Sequence, residues 1–379
     1  MPLSPVLASV GTYPFVRLEE AKRRVAAQGV EPIDFGVGDP RERTPALIRD
    51  ALIASVEETS KYPLAEGLPE LREAIAAWVR RRFGVRLDPG TQVIPTLGSK
   101  EAIFSFAQVV VDRDGGRDLV AFTEPGYPVP ERGARFAGAD VLSVPLVEAN
   151  GFLPDLDALE EIADRLAIVW LNYPNNPTGA VAPRAFLEQA AALAREHDFV
   201  LAADETYSEL WFDEPPASAL ETSSLRNVIV FNTLSKRSSM TGYRSGFAAG
   251  DDALIGALRA FRPTVGTTPQ EFIQRASVVA WGDETHVEEA RALYRAKRDA
   301  LLPVLERKGL RVAASRAGIY LWVEVEGGSE ALAERLLEHG VVVSPGSFFG
   351  PSGEGYVRFA LVPSLEDCRR AASLLEDAL

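Results

Sequence analysis

TLSKRSSMTGYR, residues 233–244, decides how this chain is read. It sets a lysine, Lys236, among hydroxyl residues that include Thr233 and Ser235, with a fixed cation, Arg244, eight positions on. The apolar run 228–231 just before it reads as a buried strand. Lys236 therefore stands beyond the carboxyl end of a strand, where open α/β sheets bind ligands. A single loop lysine is ordinarily solvated surface. Here lysine is scarce and arginine abundant, so this one is poor filler.

A lysine amine forms a Schiff base with an aldehyde when its surroundings hold down its pKa. Small hydroxyls, backbone N–H groups and one arginine make a phosphate cradle. An aldehyde and a phosphate on one ring describe pyridoxal 5′-phosphate, whose chemistry a protein has only to orient and tune.

Outward from this segment the pattern repeats. Apolar runs at 92–95, 119–122, 140–144, 167–171, 200–203, 228–231 and 246–249 alternate with helical stretches such as 100–111, 183–196 and 252–262. Strands alternating with helices predict an α/β fold with a mostly parallel central sheet covered on both faces. Helical stretches at 270–281 and 285–308 follow. The tail then mixes short strands (319–325, 341–343, 356–361) with helices (330–338, 364–378), a smaller α+β unit. The expected division is an N-terminal segment 1–45 completing the small domain, a large domain 46–284 and a small domain 285–379.

Several strand ends carry polar motifs. NYPNNPTG (172–179) offers Asn176, although asparagine and proline after a strand usually mean only a turn. AADETY (202–207) offers Asp204 and Tyr207; the plain alternative for Asp204 is a helix cap. PTLGSKEAIF (95–104) opens a helix whose N-terminal N–H groups accept an anion, with Ser99 equally readable as an ordinary N-cap. EPGYP (124–128) presents Tyr127 as a flat face. Arg358, inside the apolar stretch 356–361, is either a surface charge on an edge strand or a fork for a carboxylate. FGVGDP (35–40) lacks the third glycine of a dinucleotide fingerprint, and no P-loop spacing occurs.

Composition narrows the field. The chain has 379 residues, 46% hydrophobic and 25% charged, enough for a large core. A formal charge of −14 repels nucleic-acid backbones, so any phosphate must be gripped locally. The single cysteine, Cys368, excludes an internal disulfide framework and reads as a packed small hydrophobe. His197, His286 and His339 lack metal-ligand spacing and read as structural or solvated, so no metal site is expected. The N-terminus lacks signal-peptide character and no apolar run reaches membrane-spanning length. A soluble cytoplasmic protein without membrane or nucleic-acid partners is expected.

The order FGVGDP, KYPLAEGLPELREAI, TLGSKEAI, EPGYP, NYPNNPTG, ADETY, TLSKRSSMTGYRSGF, YVRFAL resembles the class I/II aminotransferases, the fold-type I pyridoxal-phosphate enzymes, nearly end to end. The resemblance implies that Lys236 bonds the cofactor aldehyde and then shuttles a proton. It implies that Asp204 pairs with the ring nitrogen, that Asn176 and Tyr207 bond the ring phenolate, and that Tyr127 stacks on the ring. By the same resemblance, Ser99 and Lys100 backbone N–H groups, Thr233, Ser235 and Arg244 would hold the phosphate, and Gly38, Asn176 and Arg358 would receive the substrate carboxylate. Tyr62 would reach the neighbouring subunit's phosphate, which implies a homodimer with shared sites. Tyr127 stands where aspartate aminotransferases often carry tryptophan, which weakens a carry-over of aspartate specificity.

The phrasing SKRSSMTGYRSGF, with YPFVRLEEAKR near the start, is most similar to bacterial N-succinyldiaminopimelate aminotransferases. The expected reaction moves an amino group between glutamate and an oxo acid, N-succinyl-2-amino-6-oxopimelate first. Aspartate or another amino-acid aminotransferase, an LL-diaminopimelate aminotransferase, a C–S lyase or a decarboxylase on the same scaffold are alternatives. A cofactor-binding regulatory domain is a remote one, for want of length and a basic patch. Arg17, Lys100 and Arg237 are candidates for a distal carboxylate. The segment around Tyr13 and Phe15 is expected to close over the site.

Overall fold

The computed structural model describes residues 4–9, 15–27 and 29–379, which leaves Tyr13 and the Phe15 side chain, and with them the expected closing segment, outside the described residues. Thirteen strands occur among the described residues: β1 (Ile33–Asp34), β2 (Val93–Thr96), β3 (Leu119–Glu124), β4 (Asp140–Pro145), β5 (Leu166–Asn172), β6 (Val200–Asp204), β7 (Val228–Thr233), β8 (Gly246–Gly250), β9 (Val312–Ala314), β10 (Tyr320–Glu324), β11 (Val341–Val342), β12 (Ser344–Pro345) and β13 (Tyr356–Ala360).

Seven of them form one sheet in the order β2-β8-β7-β6-β5-β3-β4. Only β8 runs against its neighbours; the other pairings are parallel. Every residue of β5, β6 and β7 is buried, which is why these strands read as unbroken apolar runs rather than as alternation. The helix Gly98–Val110 covers one face, with Phe106 packed edge-on against Trp170 and Phe231. On the other face Trp78, Phe247 and Trp281 meet beneath the helices Pro69–Phe83 and Glu271–Gly282. Full burial of one such side chain contributes roughly 1.5–3 kcal/mol, so the two layers fix the sheet firmly.

A four-stranded antiparallel sheet, β12-β13-β10-β9, forms the second layer. It shares a core with the helices Thr285–Arg307 and Leu365–Ala378 through Leu301, Leu305, Cys368 and Leu375. Cys368 is fully buried there, the packed hydrophobe expected, and burial pushes its thiol up to about 12. β1 pairs in parallel with β11, joining the N-terminal segment to the C-terminal layer. On this pairing and the start of the Thr285 helix we propose the division 1–45, 46–284 and 285–379.

The helix Val129–Phe136 and the strands β1, β9 and β12 have no counterpart in the pattern of the sequence. An eight-residue helix with Gly133 in its interior has weak local propensity, and two- or three-residue strands are too short for periodicity. No helix among the described residues is long and apolar enough to cross a membrane.

Candidate active site

A cavity of about 480 Å³ opens at the carboxyl ends of β5, β6 and β7, where the small sheet faces the large one. Gly38, Ser99, Lys100, Tyr127, Asn176, Asp204, Tyr207, Thr233, Ser235, Lys236, Arg244 and Arg358 all line it. Tyr62 does not; it is 98% exposed on the protein surface.

Lys236 lies in the short helix Leu234–Arg237 that follows β7, capped by Thr233, whose Oγ1 accepts from the Ser235 N–H at 3.2 Å. The cap turns the chain sharply, so the lysine side chain enters the cavity. Its Nζ donates to the Gly38 carbonyl at 2.6 Å. Burial pushes the amine down to about 8; Asp39 and Asp204 oppose the fall, while Arg358 and Arg244 add to it.

Asp204 is the last residue of β6. Its Oδ1 accepts from the Thr206 hydroxyl at 2.6 Å and the Thr206 N–H at 3.2 Å. The turn at 206–209 is not continued as a helix, so the helix-cap reading of Asp204 fails; the carboxylate closes this turn and lines the cavity. Burial pushes its carboxyl up to about 6, against the Thr206 hydrogen bonds and the Lys236 charge. Asn172, at the end of β5, donates to the Asp204 carbonyl at 2.9 Å and accepts from the Asn176 N–H at 2.8 Å. One side chain thus fixes two strand ends and the loop carrying Asn176.

The anion cradle is built from three segments. The helix Gly98–Val110 is preceded by Leu97 as its N-cap, which corrects the N-cap reading of Ser99. Ser99 sits in the first turn, with its Oγ 3.0 Å from Thr206 Oγ1. The Thr233 hydroxyl lies 3.0 Å from Ser235 Oγ and donates to the Ser245 carbonyl at 2.8 Å. Arg244 adopts a left-handed backbone (φ 55°) and donates to the Thr241 and Leu97 carbonyls at 2.9 and 3.0 Å. Gly98 has φ +73°, and a Cβ there would lie 2.6 Å from Arg244 Nη2, so only glycine admits the guanidinium. The Lys100 amine is held below its ordinary pKa by burial and by the nearby Arg244 and Arg132. Mutually repelling cations at a helix N-terminus fit a phosphate dianion. Tyr127 lies alongside, its ring centroid 5.9 Å from Lys100 Nζ.

Arg358 is no edge-strand surface charge. β13 lies between β12 and β10, and Arg358 is 2% exposed. It donates to Asn176 Oδ1 at 2.7 Å and to the Gly36 carbonyl at 2.6 Å, and its Cζ lies 4.5 Å from the ring centroids of both Tyr320 and Phe349. Tyr207 and Tyr320 hydroxyls are 2.6 Å apart. Of the distal-group candidates only Lys100 lines the cavity. Arg17 faces Glu330 at 3.4 Å, and Arg237 is buried against Glu284 at 2.8 Å and the Ala280 carbonyl at 2.6 Å. His286 is structural, held between Asp283 (2.5 Å) and Ser238 (2.8 Å). Asn172, Thr206, Tyr320, Asp39 and Phe349 line the cavity without having been singled out. Asn172 and Thr206 stood inside the quoted motifs, and Asp39 inside FGVGDP; Tyr320 and Phe349 carried no signal beyond apolar patterning.

A buried amine near 8, a buried carboxyl aimed at the same space, and a cationic cradle beside a helix N-terminus match the three ends of pyridoxal 5′-phosphate: aldehyde, ring nitrogen and phosphate. The residues present fit that group.

The family model for aminotransferase class I and II matches residues 30–375. An LL-diaminopimelate aminotransferase of Nitratidesulfovibrio vulgaris (strain DSM 19637 / Miyazaki F) is 39% identical over 382 residues, covering 98% of this chain and 97% of the relative. Among solved structures, a double mutant of Thermus thermophilus aspartate aminotransferase superposes with a TM-score of 0.92 at 31% identity, covering 100% of both chains. A probable N-succinyldiaminopimelate aminotransferase, also from Thermus thermophilus, gives a TM-score of 0.87 at 32% identity, covering 96% of this chain and 100% of that one.

Proposed function

The chain belongs to the class I and II aminotransferases, and from that premise we propose that this pyridoxal-phosphate enzyme interconverts LL-2,6-diaminopimelate and its oxo counterpart, with glutamate and 2-oxoglutarate as the other pair. The diaminopimelate assignment is supported by the names of the relatives at 38–39% identity. The succinylated substrate suggested by the phrasing around Lys236 is not supported by them and gives way.

One observation carries the chemistry: the Lys236 amine, held near 8, shares a cavity with a buried arginine fork, Arg358. When bound, the cofactor supplies an electron sink for charge developing at the substrate α-carbon. Arg358 binds the substrate α-carboxylate through its planar guanidinium fork, and the Gly38 backbone and Asn176 help. That contact orients the α-carbon toward Lys236. A pKa near 8 leaves an appreciable fraction of the amine neutral around neutral pH, where an ordinary lysine has almost none, so it accepts the α-proton and returns it. Asp204 would pair with the ring nitrogen, Asn176 through its amide NH₂ and Tyr207 would serve the ring oxygen, Tyr127 would face the ring, and Ser99, Lys100, Thr233, Ser235 and Arg244 would hold the phosphate.

The same reading makes the chain a homodimer in which Tyr62 of one protomer completes the phosphate site of its partner. The exposed Ile53, Val56, Tyr62 and Leu64 support it, as does an apolar groove along Leu97, Phe104, Val129, Phe261 and Val265 that borders Lys100 and Arg244. Tyr62→Phe should weaken cofactor affinity, and sedimentation should give twice the chain mass.

The deciding experiment follows cofactor absorbance while LL-diaminopimelate, glutamate, aspartate and aromatic amino acids are added singly, then oxo acids in return. Reversible conversion with LL-diaminopimelate and glutamate is expected. No response to any amino acid sinks the reading. Pyruvate or CO₂ release without an acceptor would make the enzyme a lyase or decarboxylase instead.

A further inference from the structure

Tyr320 opens β10 and is 1% exposed, so in sequence it passes for an ordinary core residue. In the fold it touches three parts of the site at once. Its hydroxyl lies 2.6 Å from that of Tyr207, and the two rings meet edge-on with centroids 5.3 Å apart. Its ring lies 4.5 Å from the Arg358 Cζ, which Phe349 flanks at the same distance. Its hydroxyl also fills the space a Cβ on residue 38 would need, so Gly38 is the residue that admits it. The Gly38 carbonyl is in turn the acceptor for Lys236 Nζ. Tyr320 and Arg358 come from the small sheet, while Tyr207 and Lys236 follow strands of the large one.

We propose that Tyr320 is a positioning residue with two separable parts: its hydroxyl orients and polarises Tyr207, and its ring holds the Arg358 guanidinium flat for the substrate carboxylate. The proposal rests on the cofactor-facing role given to Tyr207 under the proposed function. A phenol that receives a hydrogen bond at its oxygen donates its own proton more strongly, because successive hydrogen bonds polarise one another. Donation by Tyr320 therefore strengthens donation by Tyr207 to the ring oxygen of the cofactor. A stronger donor on that oxygen withdraws electron density from the neighbouring lysine-linked nitrogen and lowers the pH at which it loses its proton. The ring acts differently. Guanidinium planes stack on aromatic faces, and two flanking rings restrict the fork to the plane in which it meets a carboxylate.

The test uses the cofactor-loaded, substrate-free protein. Its visible absorbance is titrated with pH in wild type and Tyr320→Phe, and KM and kcat for glutamate are measured in these and in Tyr320→Leu. Tyr320→Phe keeps the ring and loses the hydroxyl. It should move the absorbance midpoint upward by about half a pH unit, roughly a threefold change in the proton equilibrium, and leave KM near wild type. Tyr320→Leu loses both parts and should raise KM about tenfold over Tyr320→Phe. A Tyr320→Phe protein titrating at the wild-type midpoint overturns the hydroxyl part. Equal KM values in the two variants overturn the ring part. A wild-type protein with no pH-dependent absorbance removes the cofactor role of Tyr207 and the proposal with it, an outcome distinct from a normal wild-type transition that the variants leave unmoved.

Discussion

Arg358 donates to Asn176 Oδ1 at 2.7 Å, joining a strand of the small sheet to the loop that leaves β5 of the large one. Both partners are buried, so the bond works in a low dielectric and fixes the fork before any carboxylate arrives. Arg358→Lys keeps the charge but loses the planar fork and this contact. It should raise KM about 10- to 100-fold for every α-amino acid, with a smaller effect on kcat. If a single substrate suffers, Arg358 reads the side chain and not the α-carboxylate.

Lys236→Ala removes the base at the α-carbon. Turnover should fall by at least about 10³-fold, and the absorbance of the lysine-bound cofactor should vanish while phosphate-cradle binding persists. Transamination retained near the wild-type rate would refute the role given to this lysine.

Asp39 is the leading charge that resists the depression of the Lys236 amine. Asp39→Asn should lower that pKa below its value of about 8. In cofactor-free protein the pH dependence of Lys236 labelling by an amine-selective reagent would then shift to lower pH. An unchanged profile would show that Asp39 is screened from the amine.

Asp204 gives a stability prediction whose sign follows from its carboxyl pKa of about 6, raised by burial above the ordinary 3.8. Between these values the folded state binds the extra proton. Without cofactor, stability therefore falls as pH rises through this window and stays lowered above it. Asp204→Asn should stabilise cofactor-free protein at pH 7.5 by on the order of 2 kcal/mol relative to its effect at pH 4.5, measured by urea unfolding. The neighbouring Glu205, pushed by burial to about 8, titrates in both proteins and cancels from the difference. Equal effects at the two pH values would count against a desolvated, charged Asp204.

Gly98→Ala places a methyl group against Arg244 at a backbone conformation L-residues resist. Cofactor affinity should fall more than about tenfold, with a stability cost of about 1–2 kcal/mol, read from a cofactor titration and a melting curve. Normal affinity would mean that Arg244 can leave its position without harm to the phosphate site.

The strand-end residues were legible because each follows a buried parallel strand, and such strands announce themselves as unbroken apolar runs closed by Gly, Pro or Asn. Lys236, Asp204 and Asn176 inherit their places from β7, β6 and β5 directly. Arg358 was legible as an anomaly, a charge inside an apolar strand, but whether it faced water or the site depended on β12 covering the edge. That strand is two residues long and leaves no trace in the pattern. Tyr320 was illegible for the opposite reason: an aromatic residue in a buried strand is what packing alone would choose. Tyr62 is placed by the fold on the outside of the protomer, away from its own cavity.

The parallel pairing of β1 with β11 has a consequence for biosynthesis. β1 is made long before β11, the strand it pairs with, and Arg358 and Tyr320 come later than every strand of the large sheet. The large sheet has all its strands before residue 251, so it can collapse around Lys236 on the ribosome. Arg358, the proposed carboxylate fork, cannot join it until β13 has emerged. Contacts of such long sequence separation form slowly, because loop closure must precede any gain from them. The nascent chain can thus set Lys236 in place well before the proposed carboxylate fork reaches it.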